Sequence, residues 1–247
     1  MKAQIILLIF LPFIILPSCF NQSAKKVSDE KAVGDSILVI QKVFANSPDK
    51  IEYEIPVLKG TKLRHGVQKR YYLHGSLYSK ISYKRNKRAG MAYTYYKAYN
   101  GKKPVVWKEQ SYKNGLLDGV CRRYHKDGKL QAVYEYSKGL PAIGLKEYSQ
   151  SGKELKQPTL ILKKNETGGN ILITARMSNN TKRVVYYRGN LAGGKYVTKN
   201  LKKLPVNNGV GEIMVPFTTN EKSITIIAET TTRYLNKYYT AATIQLK

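Results

Sequence analysis

The chain has 247 residues, with 43 lysines and arginines against 16 aspartates and glutamates, a formal net charge of +27 at pH 7. Hydrophobic residues make up 42%, and twenty tyrosines supply bulk that a disordered segment lacks, so the composition excludes a disordered polymer. Two cysteines exclude a scaffold stapled by several disulfides.

The charge belongs to the body of the chain. Residues 1–60 hold 7 basic and 6 acidic side chains, a net of +1. Residues 61–156 hold 22 and 6, a net of +16, and residues 157–247 hold 14 and 4, a net of +10. Such a field favours anionic partners and weakens with salt. The plainer alternative is a basic surface with no dedicated ligand.

In chain order, a short basic start leads into an apolar run over residues 5–16, closed by Leu16-Pro17-Ser18-Cys19. This is the pattern of an export signal. The run is too short for a spanning helix, which needs roughly 20 apolar residues. An apolar residue three places before Cys19 and a small one directly before it resemble the lipobox of bacterial lipoproteins. The resemblance implies that residues 1–18 are removed and that Cys19 carries the lipid. Ordinary secretion with Cys19 as a free thiol, or an uncleaved anchor, are the alternatives. If Cys19 is lipidated, Cys121 has no disulfide partner.

Residues 19–36 are polar and charged and are expected to form a flexible tether. Residues 37–45 and 51–58 read as strands separated by Asn46-Ser47-Pro48-Asp49. They are expected to cap, over residues 37–60, the repeat that follows.

That repeat occupies residues 61–156. Gly66, Gly90, Gly119 and Gly144 recur at intervals of 24, 29 and 25, and Tyr71, Tyr95 and Tyr124 follow the first three by five residues. Tyr148 follows the fourth by four. Turn signals come next: His74-Gly75-Ser76, Asn100-Gly101, Asp127-Gly128 and Ser151-Gly152. Second turns follow at Asn114-Gly115 and Lys138-Gly139, while Arg85-Asn86-Lys87 stands in the first unit without a glycine. The segments between turns are rich in tyrosine and β-branched residues and alternate, so each unit reads as a β-hairpin. Stacked hairpins make an antiparallel meander.

The pattern Gly-x4-Tyr-x3-Gly-x-Leu, then Tyr-x2-Gly-x3-Gly, resembles the variant MORN repeat, found among proteins labelled YwqK-family antitoxins. The third unit carries it on Gly119, Tyr124, Gly128, Leu130, Tyr136 and Gly139, and the first on Gly66, Tyr71, Gly75, Leu77, Tyr83 and Gly90. The second has an insertion between Gly101 and Tyr112, and the fourth is cut short near Leu155. The resemblance implies a repeat β-sheet that serves as an interaction surface.

After Gln157-Pro158 the repeat stops. Seven strands are expected, over 159–163, 170–175, 183–187, 195–199, 211–217, 223–229 and 238–246. Seven short strands in the last ninety or so residues suggest an immunoglobulin-like β-sandwich over residues 157–247, with a barrel as the alternative. The expected fold class is therefore mainly β, a hairpin-repeat meander followed by that sandwich.

No catalytic set emerges. His65, His74 and His125 lie in or beside turns and read as solvated. Cys121 and His125 stand four residues apart, roughly 13 Å along a strand, too far for a nucleophile–base pair. Metal-ligand spacings and phosphate-binding glycine loops are missing from the sequence. No cofactor is expected, and the protein is expected not to be an enzyme.

The positive features are cations interleaved with aromatics: Lys69-Arg70-Tyr71-Tyr72, Lys84-Arg85-Asn86-Lys87-Arg88, and Arg122-Arg123-Tyr124. Candidate ligand contacts are Arg70, Tyr72, Arg85, Arg88, Trp107 and Arg123. Trp107 stands an odd number of residues from Tyr112, which predicts the opposite strand face and an exposed ring. The expected protein is a binding or scaffold module of the bacterial cell envelope, held by its lipid, at the outer membrane in preference to the inner. Its expected partners are an envelope protein or an anionic lipid or glycan, not nucleic acid. An immunity or antitoxin-like protein, and an enzyme acting on envelope polysaccharide, are the two alternatives.

Overall fold

The computed structural model describes residues 27–32 and 35–246. The expected signal over residues 1–18 and Cys19 lie outside the described residues. The N-terminal part forms β1 (Val27–Ala32), β2 (Asp35–Phe44), β3 (Ser47–Leu58), β4 (Gly66–Tyr71), β5 (Leu77–Lys84), β6 (Lys87–Tyr95) and β7 (Val106–Lys113). There follow β8 (Leu116–Leu117), β9 (Gly119–Tyr124), β10 (Leu130–Ser137), β11 (Leu140–Pro141), β12 (Lys146–Tyr148) and β13 (Glu154–Leu155).

These thirteen strands make one antiparallel sheet. The path runs β1 to β7, then β9, β10, β12 and β13, with β8 beside β7 and β11 beside β10. This is the expected hairpin meander, joined edge to edge with its N-terminal strands. A tether reaching residue 36 is corrected: Val27–Ala32 pairs with β2. That pairing covers a strand edge that would otherwise be open.

Two kinds of turn alternate. One edge carries two-residue turns with both φ values positive: Arg85-Asn86 at 46° and 66°, Asn114-Gly115 at 51° and 87°, Lys138-Gly139 at 48° and 81°. This is the geometry that matches the twist of the flanking strands. The first turn achieves it without glycine. Asn86 Oδ1 accepts the Arg64 N–H at 2.8 Å, and the Asn86 N–H donates to Arg64 O at 2.9 Å. Gly115 and Gly139 donate in the same way to Arg88 O and Leu117 O, both at 2.8 Å. Each of these three turns is thereby tied to the chain at the start of the strand pair that leads into it: Arg64 ahead of β4, Arg88 early in β6, and Leu117 ahead of β9. The opposite edge carries the wider loops 72–76, 96–105, 125–129 and 149–153.

A bulge recurs beside those loops. Tyr71 faces Leu77 while Arg70 faces Ser79, so Tyr78 is extra. Trp107 is extra between Val106 and Lys108, and Gln131 between Leu130 and Ala132. A bulge re-aims the side chain it carries.

The C-terminal part comprises β14 (Leu160–Thr167), β15 (Asn170–Met177), β16 (Val184–Arg188), β17 (Leu191–Ala192) and β18 (Tyr196–Val197). It continues with β19 (Lys202–Lys203), β20 (Val206–Asn207), β21 (Val210–Pro216), β22 (Ser223–Thr231) and β23 (Lys237–Gln245). Two four-stranded sheets, β14-β15-β21-β20 and β19-β16-β22-β23, contribute to one buried core. Alternation drives it: Ile171, Ile173, Ala175 and Met177 point inward from β15, and Ile224, Ile226 and Ala228 from β22. Tyr186 is fully buried, and its hydroxyl donates to Gly209 O at 3.0 Å and accepts the Met177 N–H at 3.1 Å. Its ring needs Gly211, where a Cβ would stand 2.5 Å from Tyr186 Cδ2.

The strand expected over 195–199 is also corrected. Only Tyr196–Val197 is extended, and it pairs with β17 in a separate two-stranded sheet. Gly193 and Gly194, at φ 57° and 67°, fold it into a small hairpin. That hairpin reaches the repeat sheet: Tyr196 bridges Ala142, Ile143 N–H donates to Lys195 O at 3.0 Å, and Lys195 pairs with Glu135 at 2.6 Å.

A second contact is buried. The turn between β22 and β23 brings Thr232 and Asn236 onto Glu147, whose side chain is 1% exposed. Glu147 accepts from Thr232 Oγ1, from Asn236 Nδ2 at 2.6 Å and from Gln157 Nε2 at 3.2 Å. Asn236 Oδ1 in turn accepts from Arg123. The apolar core follows the same route, since Ala132 and Leu145 of the repeat part belong to the cluster built by the two sheets.

Candidate functional site

The loop edge of the repeat sheet is organised by one rung per unit. Tyr72, Tyr96 and His125 each follow the signature tyrosine of their own unit and bond the next unit's signature tyrosine through its backbone. Tyr72 Oη donates to Tyr95 O at 3.2 Å, Tyr96 Oη to Tyr124 O at 2.8 Å, and His125 Nε2 to Tyr148 O at 2.9 Å. A carbonyl can only accept, which assigns the His125 proton to Nε2. Nδ1 is then free to accept from Gln131 Nε2 at 3.3 Å. His125 is 5% exposed, so the reading of a solvated turn histidine is corrected. Its ring takes the place of a tyrosine in the ladder.

Cys121 sits wholly buried in β9, and burial pushes its thiol up, away from the reactive thiolate. Among the described residues no group of three or more His, Cys, Asp or Glu is placed to hold a metal ion.

Next to the rungs a row of paired positions crosses one face of the sheet: Tyr53, Arg70, Ser79, Thr94, Lys108 and Arg123. At its start the Arg70 guanidinium lies 5.1 Å from the Tyr53 ring and 5.2 Å from the Tyr78 ring, and it pairs with Glu52 at 2.8 Å. Further along, Lys108 and Arg123 face each other directly. Like charges in that arrangement repel. Both lie over Trp107, with Lys108 Nζ 3.9 Å and Arg123 Cζ 5.7 Å from the ring centre. Burial, and secondly the Arg123 guanidinium, push the Lys108 ammonium below its ordinary value. Neither cation forms an ion pair among the described residues.

The structure therefore divides the residues expected from sequence. Arg70, Tyr72, Trp107 and Arg123 gather toward the loop edge. Arg85 and Arg88 lie at the tight-turn edge, about 20 Å away along six residues of strand. Arg85 shapes its turn, while Arg88 donates to Tyr112 Oη at 3.0 Å and covers that ring at 5.1 Å. The exposed Trp107 is corrected to a half-buried one. Counting alternate residues fails across the bulge, which turns the indole toward Lys108 and Arg123.

Sequence reasoning missed Lys108, whose meaning depends on its register against Arg123. It also missed the rung, although a polar ring directly after each of the first three signature tyrosines was there to be read. The turn at residues 232–236 repeats the hydrogen bonds of the repeat loops, with Thr232 N–H on Asn236 O at 2.9 Å and Leu235 N–H on Thr232 O at 3.0 Å. Where the loops use Gly75, Gly128 and Gly152, this turn holds Leu235 at φ 59° and 79% exposed.

The MORN repeat variant family matches residues 64–85 and 117–138. The first segment holds β4 and β5 with the chain leading into them, and the second holds β9 and β10, from Leu117 to the first residue of the turn, Lys138. Such repeats point to a binding or scaffold module. No curated protein matches the chain, and no solved structure does.

The ladder makes a graded prediction. Tyr96→Phe removes one half-buried hydrogen bond and should cost about 0.5–1.5 kcal/mol. His125→Phe leaves a carbonyl unmet in a buried place and should cost more, about 1–3 kcal/mol. Denaturant midpoints check this order; an unchanged midpoint for His125→Phe would show that the rung contributes nothing.

Proposed function

We propose that this protein is a non-enzymatic, lipid-anchored module of the bacterial cell envelope that binds an anionic partner along the loop edge of its repeat sheet. The observation that carries the reading is the Lys108–Arg123 pair. Two like charges are held face to face over an indole, half-buried and, among the described residues, without a carboxylate in ion-pair distance. An anion placed between them relieves the repulsion in a setting of reduced solvent screening.

The anchor rests on the Leu16-Pro17-Ser18-Cys19 pattern. Seven residues separate Cys19 from Val27, and the eight steps between them reach at most about 29 Å. A lipid at Cys19 would thus keep the cationic sheet close to the bilayer surface. The C-terminal part supports an immunoglobulin-like reading through its strand order. β14-β15-β21-β20 and β19-β16-β22-β23 have the neighbours of strands A-B-E-D and C′-C-F-G in such sandwiches. On this reading the sandwich braces the last repeat unit and leaves the loop edge to the partner.

Two measurements bear on the proposal separately. The protein should be retained on phosphatidylglycerol vesicles but not on phosphatidylcholine vesicles, and retention should fall steeply as salt is raised. Equal retention on both lipids contradicts the charge argument, while a stoichiometric protein complex that survives high salt favours the immunity-protein alternative. For the anchor, cells fed a radiolabelled fatty acid should label the unaltered protein and not Cys19→Ala. Equal labelling of the two would remove the anchor and leave the binding proposal standing.

A further inference from the structure

The second repeat unit departs from its neighbours at one place. Its hairpin loop, residues 96–105, has ten residues, where the first and third units use five each, 72–76 and 125–129. Extra length in a loop between regular strands is a common place for function. Here the loop is held in a defined shape. Tyr96 N–H donates to Val105 O at 2.9 Å across its base, and Asn100-Gly101 turns its tip with φ of 55° and 69°. Lys102 N–H donates to Tyr99 O at 3.2 Å. From the first unit, His74 Nε2 donates to Ala98 O at 2.6 Å, and its ring stacks on Tyr99 at 4.9 Å with 15° between the planes.

Between this loop and the turn of the third unit lies a pocket of about 590 Å³. Lys97, Lys102 and Lys103 line it from the loop, and Lys126 from the third unit, with Tyr96 and Tyr99 as its aromatic walls. None of the lining residues is acidic. The neighbouring Asp127 is taken by Lys129, whose N–H it accepts at 3.0 Å and whose ammonium stands 3.9 Å away. None of the four pocket lysines forms an ion pair among the described residues. Lys97 instead lies over the Tyr99 ring at 5.0 Å and the Tyr72 ring at 5.9 Å.

Resting on the proposed anion-binding reading, we propose that this pocket takes a group of clustered phosphate charge, a pyrophosphate or a phosphomonoester dianion. Four lysines lining one cavity carry more charge than a single carboxylate neutralises, whereas a phosphate concentrates two charges and several acceptor oxygens on one atom. Lysines suit it, because each acts as a mobile point charge with three donors and no fixed fork to satisfy. The insertion supplies three of the four lysines, and this sets the pocket apart from those beside the five-residue loops: the one at the first unit is lined by Asp49 and Glu54 with a single lysine, Lys50, and the one at the third unit has no lysine.

The test uses the full chain in detergent, titrated with inorganic pyrophosphate, and vesicles of phosphatidylcholine with and without phosphatidic acid. Two paired variants each remove two positive charges from exposed sites: Lys102→Gln with Lys103→Gln in the pocket, and Lys202→Gln with Lys203→Gln in β19. The pocket pair should weaken binding about tenfold or more, and the β19 pair about twofold or less. A loss confined to pyrophosphate assigns a soluble or glycan-borne phosphate; a loss confined to phosphatidic acid assigns a lipid headgroup. Equal losses in the two pairs, or no binding of either probe by the unaltered protein, overturn the pocket. Retention on phosphatidylglycerol vesicles then separates the two claims. If it persists in the unaltered protein, only the pocket has failed; if it is missing too, the anion-binding reading fails with it.

Discussion

A sheet one layer thick has no opposing layer to pack against, and this constraint governs the repeat half of the molecule. Most side chains from β2 to β10 are only half-buried, so apolar burial cannot hold successive hairpins in place as it would in a two-layer domain. The work passes to hydrogen bonds that run between units. On the loop edge Tyr72, Tyr96 and His125 reach forward to the next unit's backbone. On the other edge Asn86, Gly115 and Gly139 reach back to Arg64, Arg88 and Leu117. The signature tyrosine matters partly for its carbonyl, which receives the rung.

Such a sheet still needs a terminus, and the C-terminal sandwich provides it. The sandwich extends its own core over Ala132 and Leu145 and seals the contact with a polar cluster centred on Glu147. Glu147 is buried and forms no ion pair among the described residues, and Asn236 connects it to Arg123. The same Arg123 faces Lys108 over Trp107. One residue thus belongs both to the joint between the two parts and to the cationic row, so the joint sets the geometry of the proposed binding surface.

How much of this was legible in the sequence depends on the range of the forces involved. Turns are local, and Asn114-Gly115, Lys138-Gly139 and Asp127-Gly128 announced the hairpins correctly. Alternation is local too, and it located β5 and β10. The misses came where pairing decides. Trp107 could not be placed by parity because a bulge stands at that residue. Lys108 gained its meaning only from its register against Arg123. His125 looked like a solvated turn residue because its carbonyl partner lies in the following unit. Residues 195–199 have strand composition, yet two glycines fold them into a hairpin that braces Ala142. The pocket lysines are adjacent in sequence only in part, since Lys126 arrives from another hairpin.

These features make the loop edge the part of the molecule where regular structure, cationic charge and exposed aromatic rings coincide. The tight-turn edge has cations as well, Lys84, Lys87, Lys113 and Lys138 among them; Arg88 is engaged with Tyr112 and Arg85 adopts the positive φ of its turn. The measurement that tests this account most directly is hydrogen exchange on the full-length protein, free and bound to phosphatidylglycerol vesicles. Added protection is expected in loops 72–76, 96–105 and 125–129 and in β7 near Trp107 and Lys108. Protection centred on the turns at Arg85-Asn86 and Lys138-Gly139, or on the C-terminal sandwich, would contradict it.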